Sequence, residues 1–599
     1  MIGKLSATTK AAGFIIWIIL TLAIALTAPG GQAKAAAGTE TLARVEVKVP
    51  IQTLGLPVYA HLRDQAGNDY ALVIAPLNQI VACGASYQIL DDPASPGSYY
   101  IARERRKGAR AKASGLFTIL YDDGRRILVK GAPEIVDQLS GLGFDIKALP
   151  LKPMILKTPV EINSVPAGQS QAFMKAVTYD SRVATMISQV QSNTLYAETG
   201  NLTGENAVTI SGGPYTITTR ATASGTPIQM ATQYVYERMA AMGLSVTYGN
   251  WSSGGYSGRN VIGAKTGSTR PSEIVLLTAH LDDMPNSGAA PGADDNGSGS
   301  TALLMIAGIM ASNTFERTVR FVFFTGEEQG LYGSTAYASA ASSAGDNIIA
   351  VINMDMIAWD FTGAPILRLH TRTSASPGYS ADQAIAGTFT SVVTTYSLSS
   401  GLTPIATADG ETASDHSSFW DHGYAAILAI EDDTDDFNPY YHTASDRRQY
   451  FNMAYFTGFT KAILGTVAHL AYYSSNVITP GENGGGGCFI ATAAFGSPMA
   501  GQVVILRQFR DRYLLPYEAG RKFVAWYYRN SPAAAKYIQD RPLARIAVRG
   551  ALYPVVGFSF TLVNGMLPYL IVFAAGCIIC VRIRPFRRTR KFRERKMDV

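Results

Sequence analysis

Cysteine is scarce in this 599-residue chain, four in all, and Cys83 is the only one before residue 488. The main body therefore cannot be held by an internal disulfide, so its stability must come from a core, from bound ions, or from both. Charge is sparse as well, 16% of residues against 47% hydrophobic, which excludes a disordered chain and leaves apolar material for two or more domains. Basic charge is lacking as a spread-out feature. The net charge of +6 comes from the last eighteen residues, RIRPFRRTRKFRERKMDV, with nine Arg/Lys against two acids, and without them the balance is near neutral. No nucleic-acid footprint over a folded surface is indicated, and no nucleic-acid partner is expected.

The two ends carry apolar runs of a different kind from the body. Lys4 and Lys10 precede the apolar segment Phe14 to Ala28, and Pro29, Gly30, Gly31 and small residues follow. That order reads as a secretory signal over residues 1–37, cleaved between Ala35 and Ala37; an uncleaved anchor is the competing reading, and both export the chain. At the other end, Tyr553 to Val581 is long enough to span a bilayer, with the basic residues 582–599 on the cytoplasmic side. A transmembrane helix over 553–581 is the expectation, and a buried core helix the alternative.

Between the ends, residues 38–160 alternate short apolar pieces (ARVEVKVPI, YALVIAPL, LFTILYDD, RILVKGA) with turn signals, which predicts a small strand-rich domain. Its basic cluster, Ala102 to Ala113, is expected to be a solvated linker. No chemistry is read in the domain; for an exported enzyme a propeptide or inhibitor domain is one reading, which the sequence leaves open. Residues 161–475 change pattern. Helical stretches, one with Met230, Val235, Met239 and Met242 on one side, alternate with apolar strands EIVLLTAHLDD, TVRFVFFTGEE, NIIAVINMDM and YAAILAIEDD. Such alternation predicts an α/β domain of three layers, α/β/α, with a mostly parallel central sheet. A Gly-rich linker, 476–487, and a helical region, 488–552, complete the chain.

The candidate chemistry gathers around Leu276 to Asp295, LLTAHLDDMPNSGAAPGADD. His280, Asp294, Glu327, Glu328, Asp355 and His442 all fall at or after the ends of apolar strands or in a later turn. In open α/β sheets the crevice lies at that edge. Two imidazoles with several carboxylates suit divalent zinc or an ion of similar hardness. Two ions need a bridging carboxylate and a separate ligand pair each. Asp294 can bridge, with His280 and Asp355 completing one ion and Glu328 and His442 the other. Glu327, left unligated, is then placed as a general base, and Asp282 can fix the tautomer of His280.

These strings, TAHLDD, PGADDNGSGSTALL, VFFTGEEQGLYGS, VINMDMIAW, ASDHSSFWDHGYAAI and YHTASD, resemble in order and context the M28 peptidase family of zinc aminopeptidases and carboxypeptidases. The narrower likeness is to its secreted bacterial leucyl aminopeptidases. The resemblance covers residues 165 to 470. It implies a zinc-exopeptidase fold, two Zn2+ ions, peptide substrates, His280, Asp294, Glu328, Asp355 and His442 as metal ligands, and Glu327 and Asp282 as catalytic groups. It further implies a cis peptide joining Asp294 to Asp295, and places Asp415, His416 and Phe419 beside the substrate pocket. An aminopeptidase preferring apolar N-terminal residues is the expectation. A carboxypeptidase or other amide hydrolase, and a non-catalytic surface binding module, are the alternatives. GGGGCFIATAAFGS, followed by an amphipathic region, an apolar span and an Arg-rich end, resembles the CFI-box C-terminal module of exported bacterial proteins. That likeness implies processing or attachment at Cys488 and a bacterial membrane as partner of the tail.

Overall fold

The structure, a computed structural model, describes residues 39–156, 177–472, 489–495, 501–514, 517–539 and 541–563. Two units separate at Ser474/Ser475. The expected signal 1–37, the Gly-rich linker and Cys488 lie outside the described residues.

The first unit begins with a strand-rich domain of two four-stranded antiparallel sheets. One has the order β2-β3-β1-β4, from β1 (Glu40–Glu46), β2 (Val58–Arg63), β3 (Asp69–Pro76) and β4 (Tyr87–Asp91). The other has the order β6-β7-β5-β8, from β5 (Tyr99–Glu104), β6 (Thr118–Asp122), β7 (Arg126–Lys130) and β8 (Phe144–Ala148). The basic cluster is not a solvated linker. It runs through β5 and the turn after it, and the side chains of Arg103 and Arg105 are largely buried in ion pairs with Glu411 and Asp433 of the following domain.

After a short hairpin, β9 (Val208–Ile210) and β10 (Gly213–Tyr215), comes an eight-stranded sheet. Its strands are β11 (Ser245–Ser253), β12 (Tyr256–Lys265), β13 (Arg270–His280), β14 (Arg317–Phe324), β15 (Asn347–Met354), β16 (Ile366–His370), β17 (Thr403–Thr407) and β18 (Ala426–Glu431). The order is β11-β12-β14-β13-β15-β18-β16-β17. The sheet is mixed rather than mostly parallel: β14, β13, β15 and β18 run parallel through the middle, but β12 meets β14, and β16 meets β18, antiparallel. The sequence marks the parallel strands because they are buried on both faces and read as unbroken apolar runs. Along β13 the pleat sends Val275, Leu277 and Ala279 to one core and Ile274 and Leu276 to the other. Helices Thr226–Ala241, Gly299–Ala311, Tyr379–Thr395 and Met453–Ala471 close the first core, and helices Tyr332–Ala344 and His416–Asp421 close the second. Each fully buried Leu, Ile, Val or Phe in these layers contributes about 1.5–3 kcal/mol.

The second unit contains helices Phe489–Phe495, Gly501–Phe509, Glu518–Gln539 and Pro542–Val563. Among the described residues no helix is long and apolar enough to cross a membrane. The span expected over 553–581 begins inside the helix Pro542–Val563 and continues outside the described residues.

Candidate metal centre

Parallel strands bring their carboxyl ends to one edge of the sheet, and four candidate ligands arrive there on consecutive neighbours. His280 is the last residue of β13, Asp355 follows β15, and Glu327 and Glu328 lie in the turn after β14. That turn needs Gly326, whose φ is +76° and whose missing Cβ would stand 2.5 Å from the Trp251 ring. The Glu327 carbonyl accepts from the backbone N–H of Gly330 and Leu331, at 2.8 and 2.9 Å, which fixes both glutamates at the head of the helix Tyr332–Ala344. His442 comes from the loop after β18. Its φ of +56°, and the +49° of Met356 beside Asp355, hold non-glycine residues in the left-handed region, a costly backbone often kept at working sites.

The donor atoms converge. His280 Nε2 lies 3.2 Å from Asp355 Oδ1 and 3.3 Å from Asp295 Oδ1. His442 Nε2 lies 3.2 Å from Asp295 Oδ2 and 2.8 Å from Glu328 Oε2. Ligands 2.0–2.2 Å from one tetrahedral zinc stand roughly 3.3 Å apart, so most of these separations are those of atoms sharing an ion. Each imidazole has its other nitrogen against a carbonyl: His280 Nδ1 at 3.1 Å from the oxygen of Asp282, and His442 Nδ1 at 2.7 Å from that of Ser140. Donation there leaves both Nε2 lone pairs aimed inward, the tautomer a metal requires. Asp295 Oδ2, Glu328 Oε1 and His442 Nε2 are buried with no hydrogen-bond partner among the described residues, although such groups are costly to leave unsatisfied. The donor atoms of His280, Asp295 and Glu328, and those of His280, Glu327 and Asp355, each lie within 4.8 Å of one another. The residues present fit zinc.

Charge tells the same story. Burial disfavours protonated His280 and His442, yet the carboxylates of Asp355 and Glu327 around the first, and of Glu328 and Asp295 around the second, raise both well above the ordinary range. Burial pushes Glu328 up to about 8, with His442 opposing. Burial also raises Glu327 well above the usual carboxylate range, the charge on His280 pulls it back, and Asp355, Glu328 and Asp415 push it further up. A cluster so rich in buried acid calls for positive charge, which protons or a metal can supply.

One expected ligand is displaced by a single residue. Asp294 does not bridge. Its Oδ1 accepts from Ala358 N and its Oδ2 from Asn438 Nδ2, both at 3.0 Å. Asp295 holds the bridging place, one oxygen toward each histidine, and the non-proline cis peptide joins Asp295 to Asn296 rather than Asp294 to Asp295. Asp446 sets this register by accepting the backbone N–H of Asp294 and of Asp295 at 3.0 Å. Asp446 belongs to the YHTASD string, which was the one signal available for it.

The remaining candidates divide. Asp282 stands 3.7 Å from His280 through its carboxylate, but it also accepts from Thr222 Oγ1 at 2.8 Å and from the N–H groups of Glu327 and Glu328 at 3.4 and 3.3 Å, so it anchors the glutamate turn as well as the histidine. Asp415 is buried near Glu327, and its neighbour Ser414 donates to Asp355 Oδ2 at 2.6 Å. His416 and Phe419 do not line the cleft. His416 Nε2 meets the Glu411 carbonyl at 2.8 Å, and Phe419 packs with Phe324 and Tyr337 in the second core, because the helix His416–Asp421 turns both inward. The cleft is lined instead by Met356, Ile430, Phe437 and Tyr441, and by Arg105 and Asp145 of the strand-rich domain.

Asp283, unassigned from sequence, has a structural partner. Arg220 is fully buried, 3.3 Å from Asp283, and donates to the carbonyls of Leu202, Leu281, Pro291 and Gly292 at 2.6–2.9 Å. It ties down both ends of the loop between His280 and Asp295. Arg220→Ala strands a buried carboxylate and four carbonyls, and the expected cost is about 3 kcal/mol or more, seen as a fall in the denaturant midpoint. A midpoint within experimental scatter of the wild type would remove Arg220 from this role.

Comparison with known proteins agrees with the motifs. Residues 260–467 match the family profile described as peptidase family M28, which bears out the resemblance to that family over those residues. Leucine aminopeptidase 1 of Arthroderma otae is 32% identical over 212 residues, 34% of this chain and 56% of that protein. The chain thus spans little more than half the length of the curated relatives it matches. Among solved structures, the LapA aminopeptidase of Legionella pneumophila is 19% identical, covering 63% of this chain and 99% of that one, with a TM-score of 0.48. A zinc aminopeptidase from Bacillus subtilis is 25% identical over 37% and 52% of the two chains, with a TM-score of 0.33.

Proposed function

We propose that the domain matching peptidase family M28 is a metal-dependent aminopeptidase with two zinc ions, hydrolysing the N-terminal peptide bond of peptides that begin with an apolar residue. The observation that carries this reading is Asp295 between His280 and His442, with Asp355 and Glu328 outside them and Glu327 left over. His280 and Asp355 would hold one ion, His442 and Glu328 the other, and Asp295 both. Zinc bound there supplies a Lewis acid and lowers the pKa of water.

The chain's own residues do the rest. Glu327 takes a proton from the attacking water as its oxygen adds to the scissile carbonyl, and returns it to the leaving amine as the C–N bond breaks. Asp282 keeps Glu327 and Glu328 in place through their backbone N–H groups. Met356, Ile430, Phe437 and Tyr441 give an apolar wall for the side chain of the first residue. Surplus acid in the site suits a cationic α-amine better than a carboxylate. The arginine lining the cleft, which a carboxypeptidase could have used, is Arg105, and it is already paired with Asp145 and Asp433.

The test uses leucyl-p-nitroanilide and its N-acetyl analogue, before and after chelation and with and without prior limited proteolysis. Hydrolysis of the free amine at least about 100-fold faster, lost on chelation, is expected, since a site built for a charged group strongly rejects an analogue lacking it. Equal rates on both substrates would overturn the exopeptidase reading in favour of another amide hydrolase. Export through residues 1–37, tethering through 553–581 and processing or attachment at Cys488 complete the proposal on sequence pattern alone. The intact mass of the exported protein reads the cleavages and any attachment at Cys488, an unprocessed full-length chain removing both cleavages, and retention of the chain in membranes after alkaline extraction reads the tether.

A further inference from the structure

We propose that a second pocket, at the opposite edge of the sheet from the metal centre, binds a neutral molecule with an apolar body and a carbonyl group, of the kind of a blocked apolar amino-acid amide. This holds whether or not the metal centre is that of an aminopeptidase.

The pocket lies between the strand-rich domain and the first residues of β15 and β18. Asn347, Ile348 and Ile349 open β15 and Ala425 precedes β18, whereas Asp355 follows the far end of β15. The 8 residues of β15, at about 3.3 Å each, put the pocket roughly 25 Å from the metal ligands. It holds about 260 Å³ of free space, close to the ~300 Å³ at which sites for small organic molecules begin. Ile155, 46% exposed, brings its lining out to solvent.

The walls are mostly apolar: Met154 and Leu156 from the segment after β8, Ile348 and Ile349 from β15, and the rings of Trp420 and Tyr424. Both rings already have partners for their polar atoms. Trp420 Nε1 donates to the Ala426 carbonyl at 3.0 Å, and the Tyr424 hydroxyl to that of Asp346 at 3.1 Å. Water against such walls finds few partners, and replacing it by an apolar group gains affinity.

Charge around the pocket is balanced. Lys147 pairs with Asp421 at 2.8 Å, Arg372 with Asp382 at 2.7 and 2.8 Å, and Asp346 with Arg320. Burial keeps His61 neutral by lowering it to about 4, and its Nδ1 meets Ser376 Oγ at 2.7 Å. A net charge on the ligand would therefore stay unpaired. One donor remains. The Arg372 side chain is 8% exposed and commits Nε and Nη2 to Asp382 and the Tyr424 carbonyl, while Nη1 makes no hydrogen bond among the described residues. Gly378 lies against this guanidinium with a φ of +84°, and a Cβ there would stand 2.5–2.7 Å from Nη2, Cζ and Nη1. Glycine thus leaves the guanidinium uncovered, and both residues line the pocket. A carbonyl oxygen satisfies Nη1 without adding charge, and the apolar walls take the rest of the molecule.

The experiment titrates the full chain by calorimetry with N-acetyl-leucinamide, which is neutral, and with N-acetyl-leucine, which differs by a carboxylate. Neither has the free α-amine that an aminopeptidase needs. The amide is expected to bind with a Kd of about 1 mM or tighter, and the carboxylate at least about ten-fold more weakly. Two variants locate the site, each checked for cooperative melting. Ala381→Phe fills the pocket from the helix Tyr379–Thr395 and is expected to weaken binding at least about ten-fold, with zinc content and kcat/KM on leucyl-p-nitroanilide unchanged. Leu156→Ala removes apolar wall and is expected to weaken it about five-fold. The donor is probed through the ligand because Arg372→Ala would strand the buried Asp382 carboxylate. No binding of the amide, a carboxylate bound as tightly as the amide, or wild-type affinity in both variants would each overturn the inference. The expected binding pattern with no turnover of the anilide in any form would uphold this site and sink the aminopeptidase reading instead.

Discussion

Glu327→Gln is expected to lower kcat on a leucyl anilide by about 10³-fold while leaving zinc content at the wild-type level. A positioned base is worth about 10²–10⁴-fold, and 10³-fold corresponds to about 4 kcal/mol of barrier. The two adjacent glutamates differ in partners. Glu328 meets His442 at 2.8 Å, whereas Glu327 lies in the donor cluster of His280 and Asp355 without a histidine paired to it. Glutamine keeps the length and polarity of the side chain but cannot accept the proton. The bonds that shape the turn are made by the backbone of Glu327, to Asp282 on one side and to Gly330 and Leu331 on the other, so they survive the substitution. Metal analysis on the same sample as the kinetics separates the outcomes. A kcat within about three-fold of wild type would remove Glu327 as the base, and loss of zinc would make it a ligand.

The strands that position this site could be read from sequence because parallel strands buried on both faces leave unbroken apolar runs, and the site residues stand where those runs stop: His280 after β13, Glu327 and Glu328 after β14, Asp355 after β15. Position within irregular backbone has no such signal. Of two adjacent aromatic-rich stretches, the one holding Phe419 folds as a helical turn with that ring inward, and the one holding Phe437 and Tyr441 forms the cleft wall. Composition does not distinguish them. The basic cluster fails as a sequence signal for a different reason. Arginines are taken to be solvated unless paired, and the partners of Arg103 and Arg105 lie about 300 residues away, at Glu411 and Asp433. Only the folded chain brings them together, which is why the strand-rich domain looked devoid of chemistry although its Arg105 and Asp145 line the cleft.

The same substitution at neighbouring positions tests the finest of these differences. Asp295→Asn removes a charge and one of two oxygens that face different histidines, so the side chain cannot serve both ligand groups. Zinc content is expected to fall by at least one ion per chain and kcat/KM by about 10³-fold or more, since metal assistance is worth several kcal/mol. Asp294→Asn acts elsewhere. Burial raises Asp294 to about 6, with bonds from Glu431 and Asn438 opposing, and its oxygens are committed to Ala358 and Asn438. The amide can still accept from Ala358, but its NH₂ meets the NH₂ of Asn438, for a cost of about 1–3 kcal/mol in stability with zinc retained. One peptide unit thus separates the acid that faces both histidines from the one bound by Ala358 and Asn438, and the Asp446 carboxylate grips the N–H groups of both. Zinc lost from Asp294→Asn and kept by Asp295→Asn would reverse the assignment and return the bridge to the position expected from sequence.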